Sequence, residues 1–275
     1  MQLTLGDRIL DMSSPMIMGI LNVTPDSFSD GGLFDDTDSA LDRIAAMVSG
    51  GAGIIDIGGE STRPGSDPVS EQEELDRVLP VLDQAVAEYP DTFFSIDTTK
   101  YQVAEEALKR GVHLVNDVSG LKNPRLLDLC VEYGGGYILM HTQGNPKIMQ
   151  QRPEYDDVVN DLFLFFKERI AIAENKGLGN IIIDPGIGFG KTLQHNVDLL
   201  SALETFKSLG HPVMVGASRK SMIGKLLGGR PPDDRVIGTV AVHYHALLNG
   251  ASIIRVHDVK EAADSLAVYK ALTLK

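Results

Sequence analysis

Eight times along the chain a short apolar run ends on a polar or glycine-flanked residue, and a helix-like stretch follows. The runs are Met16–Leu21, Ile54–Ile57, Phe93–Ile96, Val112–Val115, Tyr137–Met140, Ile181–Ile183, Val213–Val215 and Ile253–Val256. Strands that are apolar throughout are buried on both faces, which is the signature of a parallel sheet wrapped in helices. Eight such units make a (β/α)8 or TIM barrel, whose active site lies at the carboxyl ends of the strands. The runs stop at or beside Asn22, Gly58-Gly59-Glu60, Asp97, Asn116-Asp117, His141, Asp184, Gly216 and His257. One repetition therefore predicts both a fold and a set of candidate site residues.

At 275 residues the chain matches one such barrel, so a single α/β domain over 1–275 is expected. A net charge of −13 and a pI near 4.9 argue against nucleic acid or an anionic membrane as partner. The lone Cys130 rules out an intrachain disulfide framework and reads as a small buried residue of the fourth helix. The opening MQLTLGDRILDMSS has neither the basic region nor the apolar core of a signal peptide, and no apolar run approaches a membrane span. A cytoplasmic protein is expected, which makes the Asn22-Val23-Thr24 sequon irrelevant to glycosylation.

The alternation in Leu3-Thr4-Leu5 and Arg8-Ile9-Leu10, split by Gly6-Asp7, predicts a short N-terminal β-hairpin closing the bottom of the barrel. Helices are expected at Asp38–Val48, Ser70–Glu88, Lys100–Lys109, Pro124–Glu132, Glu154–Lys176, Leu193–Ser208, Asp233–Asn249 and Val259–Leu272. Ser70 with Glu73 has the form of a capping box, and Asp38 is placed to cap the first helix. Two longer connections on the catalytic face, Val23–Thr37 and Ser61–Val69, have the composition of functional lids.

Asp97, Asn116 and Asp184 finish strands three, four and six, so their side chains can converge over the barrel mouth. Carboxylates with an amide suit a flat heterocycle carrying adjacent N–H donors, such as a 2-amino-4-oxo-pyrimidine edge. Asp56 and Glu60, on strand two and just beyond it, read as groups that support the site residues from behind or brace loops. Cations gather on the same rim: Ser218-Arg219-Lys220-Ser221 after strand seven, and Arg255 with His257 on strand eight. Barrels of this type commonly hold phosphate there, helped by a helix N-terminus. Asn22 can offer one amide oxygen to Mg²⁺, an ion that reaches proteins through few contacts plus substrate phosphates. His243 and His245 lie two apart in a helix pattern and do not form a metal pair. Asp184-Pro-Gly-Ile-Gly-Phe-Gly-Lys191-Thr192 lacks the first glycine of a phosphate-binding P-loop; it reads instead as a thin wall that lets Phe189 approach a flat ligand.

Several stretches resemble the bacterial dihydropteroate synthases, in order along the chain: Asn22-Val-Thr-Pro-Asp-Ser-Phe-Ser-Asp30-Gly-Gly, Gly58-Gly-Glu-Ser-Thr62-Arg63-Pro64-Gly65, Met140-His-Thr-Gln-Gly-Asn-Pro, Asp184-Pro-Gly-Ile-Gly-Phe-Gly, Ser218-Arg-Lys-Ser-Met-Ile-Gly and Ile254-Arg-Val-His-Asp258. The resemblance implies a TIM barrel that joins 6-hydroxymethyl-7,8-dihydropterin diphosphate to 4-aminobenzoate for folate synthesis, releasing pyrophosphate. It assigns Asp97, Asn116, Asp184 and Lys220 to the pterin. Asn22, Arg255 and His257 go to the diphosphate, with Mg²⁺ on Asn22, and Lys220, Arg255, His257 and Asp97 carry the chemistry. Thr62, Arg63, Pro64, Phe189 and Ser221 fall on the aminobenzoate side, with Phe28 and Asp30 in the first loop. The family tends to homodimers and is a sulfonamide target. Thr142, and Ser119-Gly120 after Asn116-Asp117, depart from the common pattern away from any reacting group.

Three alternatives remain at this point. A pterin-binding methyltransferase domain would not need Thr62-Arg63-Pro64 or Ser218-Arg-Lys-Ser. A non-catalytic pterin-binding paralogue would have lost loop or cation residues. A sugar-phosphate barrel enzyme would lack the carboxylate and amide set.

Overall fold

The computed structural model describes residues 1–24, 33–61, 68–144 and 153–273. A two-stranded antiparallel hairpin, β1 (Gln2–Leu5) and β2 (Arg8–Asp11), precedes eight parallel strands. These are β3 (Met16–Asn22), β4 (Ile54–Gly58), β5 (Phe93–Asp97), β6 (Leu114–Asp117), β7 (Gly136–Met140), β8 (Ile181–Asp184), β9 (Met214–Val215) and β10 (Ile253–Val256). Neighbours in space follow chain order from β3 to β8, and β10 lies between β3 and β9. A parallel bridge between Ile183 and Val213 closes the ring, with the Ile183 N–H donating to Pro212 O at 2.9 Å.

Strand pleating divides the apolar residues into two cores. Ile17, Ile55, Phe94, Val115, Ile181, Val215 and Ile254 face outward and pack with the helices. Their strand neighbours Met18, Ile54, Leu114, Ile182, Met214 and Ile253 form a second cluster inside the barrel, together with Leu3, Leu5, Leu10 and Met12. The hairpin is thus an apolar plug. Arg8 fastens it by donating to Asp91 O at 2.7 Å and Thr92 O at 2.9 Å, with its guanidinium 4.0 Å over the Phe93 ring. Asn180 Nδ2 donates to Thr4 O at 2.5 Å on the other side.

The surrounding helices are α1 (Leu33–Ser49), α2 (Glu71–Glu88), α3 (Tyr101–Lys109), α4 (Arg125–Glu132), α5 (Val158–Asn175), α6 (Leu193–Ser201), α7 (Leu203–Lys207), α8 (Ser221–Leu226), α9 (Val236–Leu248) and α10 (Val259–Thr273). Three expectations about them need correction. The first helix begins at Leu33, so Asp38 lies inside it and does not cap it. The fifth helix starts at Val158 rather than Glu154, because Asp157 accepts N–H bonds from Val159 at 3.0 Å and Asn160 at 3.1 Å. The helix expected over Leu193–Ser208 is two helices, broken at Ala202. Ser70 does cap α2 through the Glu73 N–H at 3.2 Å, while the Glu73 carboxylate turns to Arg77. A reciprocal capping box stands instead at Thr192 and His195.

Leu10 is fully buried in the plug, so Leu10→Ala is expected to lower unfolding free energy by about 2–5 kcal/mol in urea titrations. Substrate KM values should not move, because the residue sits at the opposite end of the barrel from the strand termini.

Candidate active site

The pleat that fills the lower barrel with Ile54, Leu114, Ile182 and Ile253 places Asp56, Asn116, Asp184 and Arg255 two residues further on, facing the same interior. Asp97 lies four residues beyond Phe93, on the same face of β5. Polar groups therefore form the layer directly above an apolar floor. Water is scarce there, and charge must be met by charge.

Arg255 meets it. Its Nε donates to Asp56 Oδ2 at 2.6 Å, and its Nη2 reaches Asp97 Oδ2 at 2.8 Å. Asn116 Nδ2 donates to the same Asp56 oxygen at 2.9 Å, which orients the amide so that its oxygen faces away. Asp56 Oδ1, Ser95 Oγ, Asp97 Oδ1 and Asn116 Oδ1 are buried and have no hydrogen-bond partner. Orphaned buried acceptors are costly, and four on adjacent strands form a ready edge for a ligand rich in N–H donors. Burial pushes Asp97 up to about 7 despite the opposing pull of Arg255. Burial also raises Asp184, against the nearby Lys220 and a 2.8 Å bond from the Gly186 N–H.

Lys220 caps α8 from the loop after β9. Its Nζ donates to Ile187 O at 2.5 Å and stands 4.4 Å from the Phe189 ring centroid. Burial lowers it to about 8, partly offset by Asp184. Ser221 begins α8 and is exposed. His257 follows β10; its backbone N–H and Nδ1 lie 3.1 Å and 3.0 Å from Ser218 Oγ, which joins the loops after β9 and β10. Arg219 strengthens that join with bonds to Asp258 at 3.0 Å and 2.5 Å, although its φ of 57° is in the left-handed region. Asn22 ends β3 beside Gly58 of β4, half-buried on the same rim.

The expected residues Asp97, Asn116, Asp184, Phe189, Lys220, Ser221, Arg255, His257 and Asn22 thus all lie at the carboxyl ends of the barrel strands or in the loops that follow. Phe28 and Asp30 of the first loop, and Thr62, Arg63 and Pro64 of the second, lie outside the described residues. Asp56 supports site residues from behind, as expected of it: it is the carboxylate shared by Arg255 and Asn116. Its position two residues after Ile54, on an inward face, was the available signal. Asp117 points outward instead, accepting from the Ser119 and Leu121 N–H groups and the Tyr137 hydroxyl. Glu60 does brace: with Glu74 it holds Lys100, and its other oxygen is 3.4 Å from the Val69 N–H.

The chain is similar to known proteins along nearly its whole length. The family described as pterin binding enzyme matches residues 18–257. A dihydropteroate synthase of Escherichia coli strain K12 is 48% identical over 264 residues, covering 95% of this chain and 93% of the relative. The solved Yersinia pestis dihydropteroate synthase in a sulfonamide drug complex matches with a TM-score of 0.92 at 48% identity, covering 99% of both chains. The Xanthomonas albilineans dihydropteroate synthase with 4-aminobenzoic acid matches with a TM-score of 0.93 at 42% identity, covering 100% of this chain and 98% of that one. With buried acceptors and cations brought together at its barrel mouth and this degree of likeness throughout, the chain belongs to the pterin binding enzymes, and within them to the dihydropteroate synthases.

Proposed function

We propose that the chain condenses 6-hydroxymethyl-7,8-dihydropterin diphosphate with 4-aminobenzoate, giving 7,8-dihydropteroate and pyrophosphate. The observation that carries this is the row of unpartnered buried acceptors on Asp56, Asp97 and Asn116, set beside Asp184 and Lys220. The 2-amino and ring N–H groups of a pterin match such acceptors, and Lys220 can donate to the ring's carbonyl or nitrogen acceptors.

The chain's side chains then divide the work. Asp97, Asn116 and Asp184 orient the ring. Lys220, Arg255 and His257 bring positive charge and N–H donors toward the departing diphosphate, in a site dry enough to make them effective. The dihydropterin ring donates electrons toward its exocyclic methylene, so the C–O bond can break before the amine attacks. The aromatic amine is neutral at pH 7 and needs no strong base. Phe189, Ser221, Thr62, Arg63 and Pro64 form the aminobenzoate side, and Phe28 and Asp30 shield the site from water that would trap the cation. The sulfonamide complex of the Yersinia pestis relative supports a similar drug site here.

Mg²⁺ fits this scheme with Asn22 as its protein ligand. Among the described residues no group of three His, Cys, Asp or Glu is placed to hold a metal. The chemistry of the donor set is then one amide oxygen on the rim, which suits an ion held mainly by diphosphate and water. When bound, the ion supplies charge neutralisation for the leaving group.

A homodimer is supported by exposed apolar side chains on α9 and α10: Ile237 and Leu272 are 81% and 66% exposed, and Leu248 and Val268 are exposed as well. A cytoplasmic location and a single pterin-binding domain over residues 1–275 complete the proposal; no described helix is long and apolar enough to cross a membrane.

Pyrophosphate release that requires both substrates is the direct test, and a protein that binds pterin without releasing it would be the non-catalytic paralogue. Lys220→Ala is expected to lower kcat/KM by about 10²–10³-fold in that assay; near-normal turnover would remove Lys220 from the site.

The pH profile of kcat/KM for the pterin substrate should be bell-shaped. Activity falls as pH drops below about 7, because Asp97 takes up a proton and loses an acceptor. It falls again above about 8, as Lys220 loses its charge. Asp97→Asn should abolish the acid limb at reduced overall rate; an unchanged limb would assign it elsewhere.

Ile237→Glu is expected to shift the sedimentation coefficient from dimer to monomer. A dimer that survives this change would place the interface on another face.

A further inference from the structure

Lys191 has no role in the mechanism above, yet it is 3% exposed at the barrel mouth. Its Nζ lies 3.0 Å from Gly186 O, 2.9 Å from Phe189 O, 3.3 Å from His141 O and 3.0 Å from His141 Nδ1. No described carboxylate is hydrogen-bonded to it. A buried lysine that spends its donors on backbone carbonyls holds a chain conformation in place. Burial first, and Lys191 second, keep His141 neutral, so its Nδ1 can accept. Burial lowers Lys191 itself to about 7, and the neutral amine still donates two N–H bonds.

The loop it holds is the glycine-rich segment after β8. Gly186, Gly188 and Gly190 have φ values of 65°, 84° and 61°, a left-handed region that other residues adopt only with strain. A side-chain carbon on Gly186 would come within 2.0 Å of His141 O, and one on Gly190 within 2.6 Å of Gln143 O. The segment is therefore wedged against the end of β7. Two of its other polar atoms serve the site: the Gly186 N–H donates to Asp184, and Ile187 O accepts from Lys220. Asn196 and Tyr155 add anchors of their own, at the Gly188 N–H and Gly190 O. Two lysines thus draw on different carbonyls of one loop, Lys191 on Gly186 and Phe189 and Lys220 on Ile187.

We infer that Lys191 is a positioning residue that fixes the Gly186–Gly190 loop and thereby sets Asp184, Phe189 and Lys220 in register between the pterin and aminobenzoate sides. This rests on the substrate assignment proposed above. A misplacement of about 1 Å in such a wall can cost on the order of 10²-fold in rate.

The test compares Lys191→Met and Lys191→Arg, each alone and combined with Phe189→Ala, by steady-state turnover and thermal unfolding. Lys191→Met should raise the KM for 4-aminobenzoate about tenfold or more and lower kcat, with partial recovery in Lys191→Arg. Because both changes act through one loop, the double variant should lose no more than the worse single variant. A merely structural lysine would lower Tm and leave KM untouched. Wild-type KM values in folded Lys191→Met, or losses that multiply with Phe189→Ala, would overturn the inference. If Lys191→Met does not fold, the Lys191→Arg pair is held to the same non-additivity criterion. Normal wild-type turnover with independent losses would overturn this inference alone, whereas a wild-type protein that released no pyrophosphate would overturn the substrate assignment and this inference with it.

Discussion

The site depends on a guanidinium placed in a dry barrel. Arg255 is held by Asp56 and Asp97, on strands β4 and β5, and its removal would leave two buried carboxylates without their counter-charge. Breaking a buried pair by deleting one partner typically costs about 3–5 kcal/mol, much of it from the charge left behind. The cluster therefore constrains the register of β4, β5 and β10 as well as the chemistry above it. Burial makes Asp97 a weak acid by raising its pKa toward neutrality, and the arginine restrains that rise.

The N-terminal hairpin makes this cluster possible. A barrel interior of eight strands is only wide enough to be filled with side chains. Leu3, Leu5, Leu10 and Met12 complete the lower filling with Met18, Ile54, Leu114, Ile138, Ile182, Met214 and Ile253. Water has no route from below, so the acceptors of Asp56, Asp97 and Asn116 face only the mouth. The loops after β8, β9 and β10 then supply the wall: Lys191 secures one, and the Ser218–His257 and Arg219–Asp258 bonds couple the other two.

The fold was legible because periodicity carries it. Eight apolar runs separated by helical patterns admit few other arrangements, and the strand ends named Asp97, Asn116 and Asp184 directly. Boundaries were less legible. Asp38 has the chemistry of a cap, but so do the acidic residues before it, and only packing decides which turn comes first. Asp157 was overlooked because Glu154 and Tyr155 continue the pattern upstream. Within the site, Asp56 stands inside an apolar run, so the sequence marks it as a supporting group but not which residues it supports. Lys191 was set aside with a failed P-loop spacing, since nothing in Gly-Phe-Gly-Lys shows where its ammonium points.

By itself the sequence determined the barrel, the hairpin, the end of the barrel that carries chemistry and the resemblance to a family of pterin enzymes. These follow from local periodicity and motif order, which act over a few residues at a time. Only the tertiary structure decided that Arg255 binds Asp56 and Asp97 across 199 and 158 residues of chain, and that Lys191 reaches back 50 residues to His141. Those pairings depend on strand register and ring closure, which are properties of the assembled sheet, and no local pattern encodes them.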